Sequence, residues 1–122
     1  MRTFLVLDDE PSIRNLITAI LRQQNFQILQ AENGARGLEV MRDRGTHVDL
    51  IISDIRMPEV DGVSFARSVR QSHPHIPIIL MSGYTECESS LDFDGFVEKP
   101  FSMKTLLDAV RRAMSPGRSR AA

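Results

Sequence analysis

Apolar residues fall along this chain in two alternating patterns: short unbroken runs, and longer stretches in which they recur every three or four positions. The first run, Thr3-Phe4-Leu5-Val6-Leu7, has no polar face and reads as a strand covered on both sides. Comparable strands are expected at Phe26 to Ala31, at Asp49-Leu50-Ile51-Ile52-Ser53 ending in Asp54, and at Pro77-Ile78-Ile79-Leu80-Met81. Gly95-Phe96-Val97 forms the core of a fifth. Between them lie helical patterns. Pro11 suits a first helical turn and is followed by Ile13, Leu16, Ile17, Ile20 and Leu21. A helix from Gly34 to Arg42 carries Ala35, Leu38 and Met41 on one side, and Val63, Ala66 and Val69 mark another after Gly62. The last stripe is Met103, Leu106, Leu107, Val110 and Met114. Strands alternating with helices predict an α/β domain, a doubly wound parallel sheet with helices on both faces.

In such a sheet the ligand site lies at the carboxyl ends of the strands. Asp8, Asp9 and Glu10 follow the first strand, Asp54 the third, Ser82 and Gly83 the fourth, Lys99 and Pro100 the fifth. Carboxylates gathered this closely repel one another unless a cation sits among them. Their oxygens select a hard cation such as Mg²⁺. A carboxylate can also attack a phosphoryl group and form an acyl phosphate. Asp54, alone at its strand end, is the best candidate nucleophile, with Lys99 and the Ser82 hydroxyl placed to receive the incoming charge.

The chain's 122 residues fit one domain, and 42% hydrophobic content is enough for a core without disulfides. Fifteen basic against sixteen acidic residues leave a net charge of −1, which gives no general electrostatic reason to bind nucleic acid or an anionic membrane. The single cysteine, Cys87, has no internal disulfide partner, which suits a reducing compartment. No apolar run approaches the roughly 20 residues of a membrane span, and the N-terminus meets acids too soon for a secretory signal. A cytoplasmic location is expected. The domain is expected over residues 1–114, with 115–122 as a flexible tail or linker stub.

Four stretches carry a resemblance to a known family: Phe4-Leu5-Val6-Leu7-Asp8-Asp9-Glu10; Leu50 to Gly62, containing Ser53-Asp54-Ile55-Arg56-Met57-Pro58; Leu80-Met81-Ser82-Gly83-Tyr84; and Gly95-Phe96-Val97-Glu98-Lys99-Pro100-Phe101. Together they resemble the CheY-like receiver domain of two-component response regulators, over the whole chain up to the tail. The resemblance implies a flavodoxin-like strand order 2-1-3-4-5. It implies that Asp54 receives a phosphoryl group from a histidine kinase or a histidine phosphotransfer protein. It further implies Mg²⁺, or Mn²⁺ in its place, held by Asp9, Asp54 and the backbone carbonyl of Arg56, with Asp8 acting largely through water. Ser82 and Lys99 would engage the phosphoryl oxygens, and Phe96 would be an aromatic switch. Lys99-Pro100 matches a bond usually cis in the family, and Arg56 and Tyr84 would tune the acyl phosphate lifetime. The implied partners are the phosphoryl donor and a downstream protein, with the domain a monomer or weak dimer that is not itself catalytic beyond its own phosphorylation and dephosphorylation. Glu98-Lys99-Pro100-Phe101 also resembles receivers of hybrid histidine kinases.

Other readings of the same residues stay open at this point. The Asp-Asp-Glu run can be a helix-capping acid cluster, Ser82-Gly83 a turn, and Phe96 an ordinary core aromatic. A Mg²⁺-dependent phosphatase with an aspartyl phosphate is the enzyme alternative, although the adjacent Asp8-Asp9 pair lacks the two-residue spacing of haloacid dehalogenase-type sites. A pseudo-receiver that binds without phosphorylation is the third. The segment after the fourth strand departs from the family pattern. From Thr85 to Ser90 only Cys87 is apolar, so the fourth helix is expected to be shortened or missing over residues 85–94, at the usual output face. Ile79, Met81 and Val97 are the sheet residues this would leave less covered, with Leu91 and Phe93 available to fold inward.

Overall fold

The apolar runs become five short strands, the three central ones buried on both faces, and the intervening periodic stretches become the helices that cover them. The structure, a computed structural model, describes residues 2–83 and 93–115, the side chain of Thr46 excepted. In chain order these residues form β1 (Thr3–Leu7), α1 (Pro11–Arg22), β2 (Gln27–Ala31), α2 (Gly34–Arg44), a 3₁₀ turn (Gly45–His47), β3 (Leu50–Asp54), α3 (Gly62–Ser72), β4 (Ile78–Ser82), β5 (Gly95–Glu98) and α4 (Met103–Ala113). All strand pairs are parallel and the order is β2-β1-β3-β4-β5.

Side chains on a strand alternate between faces, so each strand feeds two cores. Phe4, Val6, Ile52, Ile79, Met81 and Val97 face one layer, under Leu21 of α1 and Leu106 of α4. Leu5, Leu7, Ile51, Ile78 and Leu80 face the other, with Met41 of α2 and Phe65 of α3. Three helices begin at the same edge of the sheet with side-chain caps: Asn33, Asp61 and Ser102 accept from the N–H groups of Arg36, Ser64 and Thr105. Such caps satisfy donors that the first helical turn leaves without a partner. For α1 the device is Pro11, which has no N–H to satisfy.

Four sequence expectations need correction. Leu16 and Met103, placed on helical stripes, are 48% and 51% exposed. The buried face of α1 is drawn toward Thr18, whose hydroxyl donates to the Arg14 carbonyl at 2.8 Å, leaving Leu16 at the margin. Met103 stands at the first position of α4, a turn before the helix meets the sheet. Ala35 is also exposed; α2 buries Gly34, Gly37 and Met41 instead. A Cβ on Gly37 would lie 2.4 Å from a Leu7 methyl and 2.8 Å from the Phe65 ring, so glycine is what lets α2 approach this closely. Finally, Ile79, Met81 and Val97, expected to be less covered, are almost wholly buried, packed with Leu106, Ala109 and Val110. The sheet residues on the side of α3 are Ile78, Leu80 and Phe96, and Phe93 does fold inward there. The expected loss of a helix over 85–94 falls almost entirely on residues 84–92, which lie outside the described residues.

Candidate functional site

Parallel strands of equal length end together. Leu7 pairs with Ser53, Asp54 with Met81, and Ser82 with Glu98. The residues at or just past these ends therefore meet on one edge, although Asp8 and Lys99 are 91 positions apart. Lys99 is held there by its main chain, whose N–H donates to the Ser82 carbonyl at 2.8 Å, and the Lys99-Pro100 bond is cis.

The ammonium of Lys99 lies between two acids. Its Nζ donates to Asp8 Oδ2 at 2.9 Å and stands 3.3 Å from Asp54 Oδ2. Asp8 is fully buried, and its second oxygen accepts from the Glu10 N–H at 3.0 Å. Asp54 and the Ser82 residue are buried as well. An open pocket of about 300 Å³ adjoins them, lined by Asp9, Glu10, Asp54, Arg56, Ser82, Gly83 and Lys99. Carboxylate oxygens of Asp8, Asp9 and Glu10 lie within 4.8 Å of one another.

These residues match the sequence-derived candidates Asp8, Asp9, Asp54, Arg56, Ser82 and Lys99 in position, and bring Glu10 and Gly83 with them. Glu10 was legible as part of the acidic run but carried no role of its own. Phe96 is half-buried, packed on the α3-side layer rather than in the pocket. Tyr84 lies outside the described residues. His73 caps α3 and is half-buried, its ring lying where a Cβ on Gly45 would come within 2.5 Å.

The electrostatics single out Asp54. Burial pushes its carboxyl above the usual value, and the nearby Asp8 charge adds to this; Lys99 and the Arg56 N–H offset only part. For Lys99, burial works to lower the ammonium, but the hydrogen bond to Asp8 and the charges of Asp54 and Asp8 outweigh it and hold the group above its ordinary value. Because Lys99 sits closer to Asp8, Asp54 is the acid whose charge is less well matched. All-oxygen donors beside an under-neutralised buried carboxylate suit a hard divalent cation.

A raised carboxyl pKa favours folding at pH values where both folded and unfolded forms are protonated, and that contribution is lost as pH rises through the folded value. Asp54→Asn removes the charge and keeps the shape. In metal-free buffer the variant should therefore melt above wild type at pH 7. The difference should shrink as pH falls and vanish below about 4, the ordinary carboxylate value. Thermal melts between pH 3 and 7 check this, and a lower melting temperature for the variant at pH 7 contradicts it.

Comparison with known proteins agrees with the geometry. The model of the response regulator receiver domain family matches residues 4–111. The chain is 36% identical over 117 residues to the sensor kinase CckA of Brucella abortus (strain 2308), covering 92% of this chain and 12% of that protein. It is 34% identical over 116 residues to the regulatory protein AtoC of Escherichia coli (strain K12), covering 90% of this chain and 24% of that protein. The chain thus spans between an eighth and a quarter of these relatives' lengths. Among solved structures, the response regulator TrrA of Thermotoga maritima in complex with Mg(2+)-BeF superposes with a TM-score of 0.86 at 33% identity, covering 93% of this chain and 100% of that one. The chemotaxis protein CheY4 of Vibrio cholerae gives 0.85 at 28% identity, covering 93% and 99%. The acidic edge of the sheet, the strand order and a family match running from β1 into α4 coincide on the same residues, and the chain belongs to the response regulator receiver domain family, the phosphoaccepting signalling modules of two-component systems.

Proposed function

We propose that Asp54 is the phosphoacceptor and that Lys99, Ser82 and the acids after β1 are the groups that make its phosphorylation productive. The observation that carries this reading is the placement of the Lys99 ammonium between Asp8 and Asp54, beside a pocket open to a donor. Receiver domains bind Mg²⁺ at an acidic site of this kind. In this chain Asp9, Asp54 and the main-chain carbonyl of Arg56 would hold the ion, with Mn²⁺ as a substitute. Asp8, already engaged by Lys99 and the Glu10 N–H, suits a role through water. When bound, the divalent ion neutralises charge on the phosphoryl group and favours the ionised nucleophile.

The chain's own residues do the rest. An Asp54 carboxylate oxygen attacks phosphorus, a new O–P bond forms, and the P–N bond to the donor's imidazole breaks, its electron pair leaving with the ring nitrogen. The phosphoryl oxygens then carry the charge that faced Lys99, so the ammonium turns from the Asp54 carboxylate toward them. The Ser82 hydroxyl, on the neighbouring strand end, donates to another phosphoryl oxygen. Both moves pull the ends of β4 and β5 toward Asp54. Phe96, in the same short strand as Glu98 and half-buried, is placed to follow them and to carry the change to a protein partner.

The phosphoryl donor would be a histidine kinase or a histidine phosphotransfer protein, and the reader a downstream protein that binds a monomer or weak dimer of this domain in the cytoplasm. No helix among the described residues is long and apolar enough to cross a membrane. Incubation with acetyl phosphate and Mg²⁺, followed by intact mass, is expected to add one phosphoryl group to wild type and none to Asp54→Asn. Equal uptake by the variant refutes the assignment, and catalytic turnover of a generic phosphate ester would favour a phosphatase instead.

A further inference from the structure

The carboxylate of Asp8 is anchored by Lys99 and Glu10, but its main-chain carbonyl, one residue past the end of β1, is claimed by a different group. Arg14 Nη1 donates to the Asp8 carbonyl at 2.7 Å. The same guanidinium donates through Nε to Gln30 Oε1 on β2 at 3.1 Å. The Gln30 amide in turn donates to Thr18 Oγ1 at 3.0 Å, and that hydroxyl donates to the Arg14 carbonyl at 2.8 Å. Arginine, glutamine and threonine thus close a ring that fixes the guanidinium before it reaches Asp8. Thr18 is buried and Arg14 and Gln30 are half-buried, so solvent competes weakly for these bonds.

We propose that Arg14 is a positioning residue for the acids of the site. Holding the Asp8 carbonyl fixes the plane of the Asp8–Asp9 peptide, which joins the two residues whose carboxylates contribute to the acidic cluster. The fixed fork of a guanidinium serves both acceptors at once; an ammonium on a flexible stem has no such preset pair of directions. The role resembles that of outer partners that orient metal ligands without touching the ion, whose loss costs roughly 10–100-fold in affinity. The inference rests on the reading of this pocket as a divalent-cation site.

Two measurements on the full chain test it: titration of Mg²⁺ alone by calorimetry, and the amide resonance of Glu10, which reports the bond from its N–H to Asp8. Arg14→Ala is expected to weaken Mg²⁺ by roughly tenfold or more and to shift the Glu10 resonance in ion-free buffer. Arg14→Lys should recover less than half of that affinity on a logarithmic scale. Gln30→Ala, remote from the pocket and on another strand, should weaken Mg²⁺ several-fold, and it keeps the test valid if Arg14→Ala does not fold. Mg²⁺ affinity within twofold of wild type in the folded variants, with an unmoved Glu10 resonance, overturns the proposal. If wild type itself fails to bind Mg²⁺, the cation reading falls, and the Glu10 resonance alone decides whether Arg14 positions Asp8.

Discussion

Gly62→Ala is expected to destabilise the domain by about 3 kcal/mol and to slow phosphoryl uptake from acetyl phosphate by about a hundredfold. A Cβ at Gly62 would lie 2.0 Å from the main-chain oxygen of Asp54 and 2.9 Å from its carbonyl carbon. Neither is the end of a flexible side chain that could swing away. The Gly62 N–H also donates to the Ile55 carbonyl at 2.8 Å, which ties the start of α3 to the residue after Asp54. An added methyl must therefore separate α3 from the end of β3, and the nearest thing to move is Asp54, the proposed acceptor. Displacement of a reacting group by about an ångström is enough for a hundredfold loss. Gly83→Ala is the control: it lines the same pocket, yet among the described residues nothing lies within 4 Å of the added Cβ, and its stability should match wild type within about 0.5 kcal/mol. Denaturant melts and the time course of intact mass check both. Near-normal stability and uptake in Gly62→Ala would show that the turn yields without moving Asp54.

Arg70→Ala is expected to cost about 2–3 kcal/mol, a fall in melting temperature on the order of 10 °C for a domain of this size. The Asp94 side chain is 4% exposed and accepts from Arg70 Nη2 at 3.0 Å and from the Ile78 N–H at 2.9 Å. The Arg70 guanidinium also lies over the Phe93 ring, 5.4 Å from its centre. Truncation removes the guanidinium from a buried carboxylate and from the face of the Phe93 ring. Arg70 is itself 28% exposed, which places the expected loss below that of a fully buried pair. Asp94→Asn keeps an oxygen for the Ile78 N–H and should cost less. In the double variant the two losses should fall short of their sum, because a neutral amide no longer needs the guanidinium. Chemical denaturation of the four species measures this. A loss under about 1 kcal/mol in Arg70→Ala would mean that water replaces the guanidinium at Asp94.

These two sites were not equally visible in the sequence. Asp54-x7-Gly62 sits in a stretch whose motif could be read directly, and the acids and the lysine stood at strand ends that hydrophobic patterning had already placed. The Arg70–Asp94 pair spans α3 and the start of β5, 24 positions apart, and no local pattern connects them. The ring of Arg14, Gln30 and Thr18 was hidden for the same reason: Gln30 was one polar residue within an expected strand, and its partners lay on the preceding helix. Strand parity failed where composition carries no alternation. In Ile78-Ile79-Leu80-Met81 every side chain is apolar, so the sequence cannot say which pair faces α3 and which faces α4. Leu16 failed at the margin of its stripe, where a threonine that satisfies its own hydroxyl on the helix took the buried place.

The ion pair that joins the first strand's end to the last strand's end has a meaning for biosynthesis. A growing polypeptide has Asp8 and Asp54 in hand long before Lys99 emerges, and the acids alone repel. The bridge from Lys99 to both acids therefore forms only once the fifth strand has joined the sheet.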